Sequence, residues 1–363
     1  MKTYPIPMVP GPVSVPPEVL DAVHVNYGSG DLETEFFELY DRTAANLQQI
    51  LGTNQSIVIQ TGEGMVALWS ALKSCLTPGD RVLSIATGVF GFGIADMARS
   101  VGAKVKTVGF DYNETLTDWD VIETAIDAFK PKMITAVHCE TPSGTLNPLA
   151  ELGRLKSAHN VPLLYVDAVA SAGGTPVLAD SWGIDLCLGG AQKCLSALPD
   201  LAFLSVSQAA WNVIEQVSYT GYDALKPFRK ASESRFFPYT PNWHGMAGLN
   251  AGAELLLREG LSNSFERHNT VAAHCRAELV KMGLTLFPSP NAIPSPTVTA
   301  VNLPEGTSWP DFDKKLRQQG LVVGGSYGPL EGKVFRLGHM GTQADMDLMN
   351  RALNAIRQAM APM

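Results

Sequence analysis

The sequence predicts an α/β protein with a large domain, built on a mostly parallel seven-stranded sheet, and a smaller α+β C-terminal domain. Two observations support this prediction. Short apolar runs alternate with helix-like stretches through the first two hundred residues, and a different pattern takes over after about residue 240. The runs are mostly apolar throughout, as is typical of strands covered on both faces. Helical stretches between them favour parallel strands with helices on both sides.

The large sheet is predicted from apolar, β-branched runs separated by stretches such as 63–76 and 149–160, which have the apolar spacing of helices. The seven predicted strands span residues 56–60, 81–86, 103–110, 133–139, 162–169, 185–190 and 201–207.

The C-terminal part begins with residues 248–283, which are expected to form one long helix or two abutting helices. The remaining predicted elements are a strand at 297–303, a helix at 311–320, strands near 321–325 and 333–340, and a helix at 343–360. The chain is therefore divided into an N-terminal arm (1–15), a large domain (16–255) and a small domain (256–363), a length that suits two domains.

Composition excludes several classes of function. The net charge of −8 argues against a nucleic-acid-binding protein, which normally carries a basic face. No run approaches the ~18 apolar residues of a membrane span, and the proline-rich start lacks an apolar signal core, so a cytoplasmic protein is expected. The five cysteines form no CxxC pair, so they are predicted to be buried thiols rather than disulfides or metal ligands.

Lys193 and Asp167 are the strongest candidates for catalysis. Lys193 stands among apolar and small residues in "LCLGGAQKCLSALPD" (186–200), although lysine is almost never buried without a reason. Asp167 ends the apolar strand of "LLYVDAVASAGG", at the sheet edge where such folds bind ligands. A sheltered lysine becomes a nucleophilic amine that can form a Schiff base. A nearby aspartate can hold a pyridine nitrogen protonated, as in pyridoxal 5'-phosphate (PLP) enzymes.

Four further stretches contain candidate residues. The Gly62–Glu63 turn leads from a strand into a helix and could bind a phosphate, or be an ordinary turn. Phe90, flanked by glycines, could stack on a cofactor ring or belong to the core. Thr141 follows a strand in "HCETPSGTLNP" and could reach the cofactor. Arg336 in "FRLGHMG" could bind a carboxylate with a two-point fork or form a surface salt bridge.

These stretches, in this order, resemble the class V aminotransferases of PLP fold type I, particularly the alanine–glyoxylate (serine–pyruvate) and pyridoxamine–pyruvate groups. The resemblance covers nearly the whole chain. The motifs that carry it are "PGPV" (10–13), "TGEGMVAL" (61–68), "TGVFG" (87–91), "ETPSGTLNP" (140–148), "VDAVASAGG" (166–174), "GGAQKCL" (189–195), "FPYTP" (237–241) and "FRLGHMG" (335–341).

The resemblance implies a role for each candidate residue. Lys193 is the Schiff-base lysine, and Asp167 is the partner of the pyridine nitrogen. Arg336 would hold the substrate carboxylate, and Glu63 would contact the substrate. The cofactor site would comprise Gly62, Glu63, Phe90, Thr141, Asp167, Val169, Gln192, Lys193 and Thr240. Thr240 would reach the cofactor of the neighbouring subunit, since these enzymes are homodimers with shared sites.

The reaction expected from the resemblance is ping-pong transfer of an amino group from a small amino donor to a small 2-oxo acid such as pyruvate or glyoxylate. One alternative is free pyridoxamine as substrate, although the second arginine of that group is absent and "GGSYGPLEGK" (324–333) stands there. A desulfurase, a lyase and a non-catalytic sensor on the same fold are further alternatives. A nicotinamide dehydrogenase is disfavoured because no GxGxxG follows the first strand.

Overall fold

A computed structural model describes residues 3–361. Its strands are β1 (Ile6–Met8), β2 (Ser56–Thr61), β3 (Arg81–Ala86), β4 (Lys104–Gly109), β5 (Met133–Val137), β6 (Cys139–Glu140), β7 (Thr145–Leu146), β8 (Leu163–Asp167), β9 (Leu186–Gly190), β10 (Leu201–Val206), β11 (Val298–Asn302), β12 (Leu321–Gly325) and β13 (Val334–Gly338).

The helices lie between and after these strands. They are α1 (Pro17–Val23), α2 (Thr34–Ile50), α3 (Gly64–Cys75), α4 (Val89–Ser100), α5 (Trp119–Phe129), α6 (Ala150–Ala158), α7 (Gln208–Val217), α8 (Ala231–Ser234), α9 (Trp243–Glu259), α10 (Leu261–Lys281), α11 (Trp309–Gln318) and α12 (Met346–Met360). No helix of residues 3–361 combines the length and the apolar composition that a membrane span requires.

The large sheet has seven strands in the order β2-β10-β9-β8-β5-β3-β4. All neighbours are parallel except β10, which is antiparallel to both β2 and β9. Every residue of β5, β9 and β10 is buried, which explains their continuous apolar sequences. The predicted α/β class and its mostly parallel seven-stranded sheet are confirmed.

The parallel arrangement brings two strand ends together. In β8 and β9, Asp167 lies opposite Leu188, so both strands point their carboxyl ends in the same direction. Asp167 is the last residue of β8, and Lys193 follows three residues after β9 ends at Gly190. Ligands of open parallel sheets bind at this edge.

The stretch 248–283 belongs to two helices. Gly260 separates α9 from α10 and has a φ of +88°, a left-handed conformation that glycine adopts readily. The predicted domain boundary between residues 255 and 256 therefore lies inside α9, near its end. From Val271 onwards helix α10 packs in a second hydrophobic core, whereas Leu261 at its start packs against the core of the large sheet.

The smaller sheet has four strands in the order β1-β12-β13-β11. Strand β1 comes from the predicted N-terminal arm and pairs in parallel with β12, with Ile6 opposite Leu321. Ile6 and Met8 are buried in the second core. The arm thus contributes a strand to the C-terminal sheet. Of the predicted arm and small domain, residues 1, 2, 362 and 363 lie outside the described residues.

Candidate active site

A cleft opens at the carboxyl ends of β8 and β9. Its walls come from the start of α3, the start of α4, the turn after β6, the end of β8 and the segment after β9. Six of the residues predicted for the site line this cleft. They are Glu63, Phe90, Thr141, Asp167, Val169 and Lys193.

The side chain of Lys193 is sheltered in this cleft. Its Nζ donates a hydrogen bond of 2.7 Å to the carbonyl oxygen of Pro10. Burial lowers the pKa of Lys193, and the nearby charge of Arg336 lowers it further, while Tyr327 and Glu63 act in the opposite direction. A lysine with a lowered pKa has a larger fraction of free amine at neutral pH, which is the form that attacks a carbonyl carbon.

The N-terminal segment closes one side of the Lys193 side chain. Gly11 has a φ of +83°, and a Cβ atom built there would lie 2.5 Å from Cδ and 2.7 Å from Nζ of Lys193. The motif "PGPV" was part of the predicted resemblance, but its contact with the lysine was not foreseen. Nothing in the local sequence connects residue 11 with residue 193.

We expect Gly11→Ala to displace Lys193 and to reduce turnover on the order of 10²-fold, because a misplacement of about 1 Å has this effect on a catalytic group. Gly79→Ala is the matched control: Gly79 has a φ of +91° and no atom within 4 Å of the added Cβ. Steady-state kinetics and thermal unfolding of both variants make the comparison. Equal turnover in the two variants would contradict the contact between Gly11 and Lys193.

Asp167 presents a carboxylate at the floor of the cleft. Its Oδ1 accepts a hydrogen bond of 2.9 Å from the amide of Val169. Burial raises the pKa of Asp167 to about 6; the charge of Glu63 adds to this effect, and the Val169 amide and Lys193 oppose it. A protonated nitrogen of a ligand beside Asp167 would favour the ionised form, so the group is suited to pair with a cationic ring nitrogen.

Glu63 and Gln192 form a polar pair at the start of α3. The Glu63 carboxylate accepts a 3.0 Å bond from the Met65 amide through Oε2 and a 2.7 Å bond from Gln192 Nε2 through Oε1. The Gly62 amide donates to the carbonyl of Asp200 at 2.8 Å. An anion at this turn would therefore meet the amides of Glu63 and Gly64, which donate to no protein acceptor within residues 3–361.

Glu140 is a buried acid that the sequence analysis did not single out. Its carboxylate accepts bonds from the amides of Phe90 (3.2 Å) and Gly91 (2.7 Å), at the first turn of α4. A Cβ at Gly88 would lie 2.6 Å from the Glu140 carboxyl carbon, so glycine makes room for it. Glu140 thus stabilises the start of the helix that carries Phe90. In the sequence, the glycines around Phe90 are the feature that could have indicated a buried group beside this helix start.

Burial raises the pKa of Glu140 to about 7, with the two amides acting in the opposite direction and Asp167 in the same direction. The folded chain therefore retains this proton at pH values where the unfolded chain has lost it. Because the folded form binds the proton more tightly, the free energy of unfolding falls as the pH rises from 4.5 to 7, by roughly 3 kcal/mol from this group alone.

Glu140→Gln removes this titration. We expect the free energy of unfolding of the variant minus that of the wild type to increase by up to about 3 kcal/mol as the pH rises from 4.5 to 7. Urea unfolding of both cofactor-free proteins across that range provides the measurement. A constant difference between the two curves would show that Glu140 ionises normally.

Arg336 lies in β13 and is only 2% exposed. Its Nε donates to the Gly325 carbonyl at 2.7 Å, while Nη1 is buried without a hydrogen-bond partner among the described residues. Burial lowers the pKa of Arg336, and Tyr327 opposes that shift. The alternative of a surface salt bridge is therefore wrong. A buried guanidinium with an unused donor is suited to bind a carboxylate.

Four of the ten predicted residues are not among those that line the cleft, namely Gly62, Gln192, Thr240 and Arg336. Gln192 is buried and reaches the cleft only through Glu63, and its Oε1 has no partner among the described residues. Thr240 is exposed and does not line the cleft. Its predicted role toward a neighbouring subunit requires a second chain. Within residues 3–361, no cluster of three or more His, Cys, Asp or Glu side chains could hold a metal ion.

The large mixed sheet, the lysine and aspartate at adjacent strand ends, and the buried arginine form the arrangement that the class V resemblance implies. Residues 10–329 match the family described as aminotransferase class-V, and the chain belongs to this family. The resemblance proposed from the sequence motifs is thereby confirmed.

Two relatives and one solved structure illustrate this similarity. The pyridoxamine–pyruvate transaminase of Mesorhizobium japonicum is 32% identical, over 98% of this chain and 91% of its own length. The alanine–glyoxylate aminotransferase of Callithrix jacchus is 32% identical, over 97% of this chain and 86% of its own length. The structure of an alanine–glyoxylate aminotransferase from Nostoc sp. matches with a TM-score of 0.95 and 28% identity, covering 99% and 96% of the two chains.

Proposed function

We propose that this aminotransferase uses PLP to move an amino group from a small amino donor to a small 2-oxo acid, pyruvate or glyoxylate, in a ping-pong reaction. The observation that carries the proposal is the combination of Lys193, with a lowered pKa, and Asp167 in one cleft. Buried Arg336, with its unused Nη1, adds a site for the carboxylate of the substrates.

The residues of the cleft fit the chemical groups of PLP. Lys193 offers an amine for the aldehyde, Asp167 a carboxylate for the ring nitrogen, and Phe90 an aromatic ring for stacking. The amides of Glu63 and Gly64, at the N-terminus of α3, suit a phosphate. Because the Glu63 carboxylate currently caps α3, we expect it to turn away when a phosphate binds, and Gln192 is its other partner.

When bound, PLP supplies an electron sink for the pair left on the substrate carbon. The protein's own contribution is proton transfer and orientation. The free amine of Lys193 would take the proton from the substrate carbon and return it later in the reaction, and general acid–base catalysis of this kind contributes ~10²–10⁴-fold. Asp167 keeps the ring nitrogen protonated, and Arg336 fixes the carboxylate so that the reacting carbon faces Lys193.

Two kinds of amino donor are candidates, a small amino acid and free pyridoxamine. One relative is named for alanine and glyoxylate and another for pyridoxamine and pyruvate. We favour a small amino acid as donor because the chain lacks a second arginine near Arg336. We also infer that Glu63 contacts the amine or hydroxyl group of the donor. Free pyridoxamine remains the alternative donor.

A desulfurase is disfavoured by the thiols of the chain. Cys275 is buried within α10, and the thiol that lines the cleft, Cys139, has its pKa raised to about 11 by burial. Such a thiol stays protonated and is a poor nucleophile.

All five cysteines are buried and unpaired, which supports our proposal of a cytoplasmic protein.

A homodimer with shared sites is also proposed. Large apolar side chains are exposed at the mouth of the cleft and in the segments 219–224 and 235–242. Among them, Met65 and Val66 are each 42% exposed, Phe236 62% and Tyr222 81%. Exposed apolar groups of this kind indicate a protein interface. Thr240 lies in the same region, where it could reach the cofactor of a second chain.

A donor screen tests the proposed function. The PLP-loaded protein is mixed with single amino donors, including L-alanine, L-serine and free pyridoxamine, and the loss of visible absorption reports the first half-reaction. Return of the absorption on adding pyruvate or glyoxylate reports the second. A protein that gains no visible absorption with PLP, or responds to no donor, would contradict the proposal.

A further inference from the structure

Tyr327 lies between Arg336 and Phe90, in the loop that joins β12 to β13. The Arg336 guanidinium carbon is 4.4 Å from the centre of the Tyr327 ring, a cation–π contact. The Phe90 ring meets Tyr327 edge-to-face, with 6.5 Å between ring centres and an angle of 74°. One side chain of the small domain therefore spans from the carboxylate-binding arginine to an aromatic wall of the cleft.

The loop that carries Tyr327 is fixed on both sides. The Ser326 hydroxyl donates a 3.1 Å hydrogen bond to the Pro142 carbonyl, next to Thr141 of the cleft. Gly328 has a φ of +55°, and a Cβ atom added there would lie 3.6 Å from Val89, the residue before Phe90. The loop thus contacts the two segments of the large domain that also form the cleft, while the Tyr327 side chain is 48% exposed beside them.

This arrangement leaves the guanidinium of Arg336 open along only part of its edge. Tyr327 covers one face of the group, and Nε is used by Gly325. Nη1 is buried without a hydrogen-bond partner among the described residues. A carboxylate bound there would lie in the guanidinium plane, beside the Tyr327 ring that covers one face of the group.

We propose that Tyr327 is a specificity-determining residue that restricts the 2-oxo acid to those with a very small side chain. The ring contacts the Arg336 guanidinium and the Phe90 ring, and so forms a wall between the carboxylate site and the Phe90 side of the cleft. This inference deepens the proposed function and rests on it. It concerns the size of the side chain, whereas Arg336 recognises the carboxylate that all 2-oxo acids share.

The test compares glyoxylate, pyruvate, 2-oxobutyrate and 4-methyl-2-oxopentanoate as acceptors for the PLP-loaded enzyme. Tyr327→Ala removes the wall, and we expect kcat/KM for the largest acid relative to pyruvate to rise at least ~10-fold, the discrimination that one or a few carbon atoms bring in an apolar pocket. Tyr327→Phe is the matched control: it retains the ring, and its ratio should stay within about threefold of the wild type.

An unchanged ratio in Tyr327→Ala would overturn the inference, as would an equal shift in Tyr327→Phe. If Tyr327→Ala loses turnover altogether, competition by unreactive carboxylic acids of increasing length, followed by absorption of the bound cofactor, measures the same wall without catalysis. There, tighter binding of the longer acids supports the inference, and an unchanged order of affinities overturns it. A wild type that accepts no 2-oxo acid would instead disprove the proposed function.

Discussion

Lys193→Ala is expected to abolish transamination, with a loss of at least ~10⁴-fold, and to remove the visible absorption that PLP acquires on the wild type. In the proposed function the amine would have two roles, as the attachment point of the cofactor and as the group that moves the proton, and general acid–base catalysis alone accounts for up to ~10⁴-fold. The Lys193 side chain is sheltered and donates a hydrogen bond to the Pro10 carbonyl.

Chemical rescue makes this experiment specific. A small primary amine such as methylamine fits the space that truncation leaves and should restore part of the proton transfer. Lys132→Ala is the matched control, because Lys132 is also largely buried but pairs with Asp80 at the opposite edge of the sheet. If Lys193→Ala kept the absorption and turnover of the wild type, Lys193 would not be the amine that bonds to PLP. If Lys132→Ala lost absorption and turnover to a similar extent, the effect of Lys193→Ala would be structural.

Asp167→Asn is expected to lower kcat by roughly 30- to 5000-fold while KM changes little. The amide retains the size of the side chain but cannot stabilise a protonated ring nitrogen. Losing a buried charged partner has an effect of about 2–5 kcal/mol, which gives this range at 1.36 kcal/mol per factor of ten. Single-turnover kinetics on the PLP-loaded variant measure the loss directly.

Asp185→Asn is the control for a buried aspartate with a structural role. Asp185 lies just before β9, at the opposite edge of the sheet, and pairs with Lys156 at 2.9 Å. We expect this variant to lose stability but to retain kcat per folded molecule. If Asp167→Asn behaved in the same way, Asp167 would be a structural residue and the PLP ring nitrogen would need another partner.

Much of the large sheet could be predicted because its strands are buried on both faces. The run 81–86 coincides with β3, and the run 201–207 exceeds β10 by one residue. Continuous burial leaves a continuous apolar sequence, and this signal is local. The role of residues 1–15 was harder to predict, because β1 acquires its identity as a strand from pairing with β12.

For the candidate site, too, local sequence patterns allowed only part of the arrangement to be predicted. Lys193 and Asp167 could be placed together because parallel strands end at the same edge. The bond from Lys193 to Pro10 and the caps that Glu140 provides for α4 join residues far apart in sequence. Tyr327 stacks on Arg336 only because its loop is anchored on the large domain. Such contacts depend on tertiary packing and leave no periodic pattern in the sequence.

The pairing of β1 with β12 bears on how the chain folds during its synthesis. Ile6 lies opposite Leu321, a separation of 315 residues (321 − 6). During synthesis, β1 therefore cannot pair with β12 until the whole of the large sheet has been translated. Contacts of such long range are slow to form. Since the same segment delivers the Pro10 carbonyl to Lys193, we expect catalytic competence to appear only at the last stage of maturation.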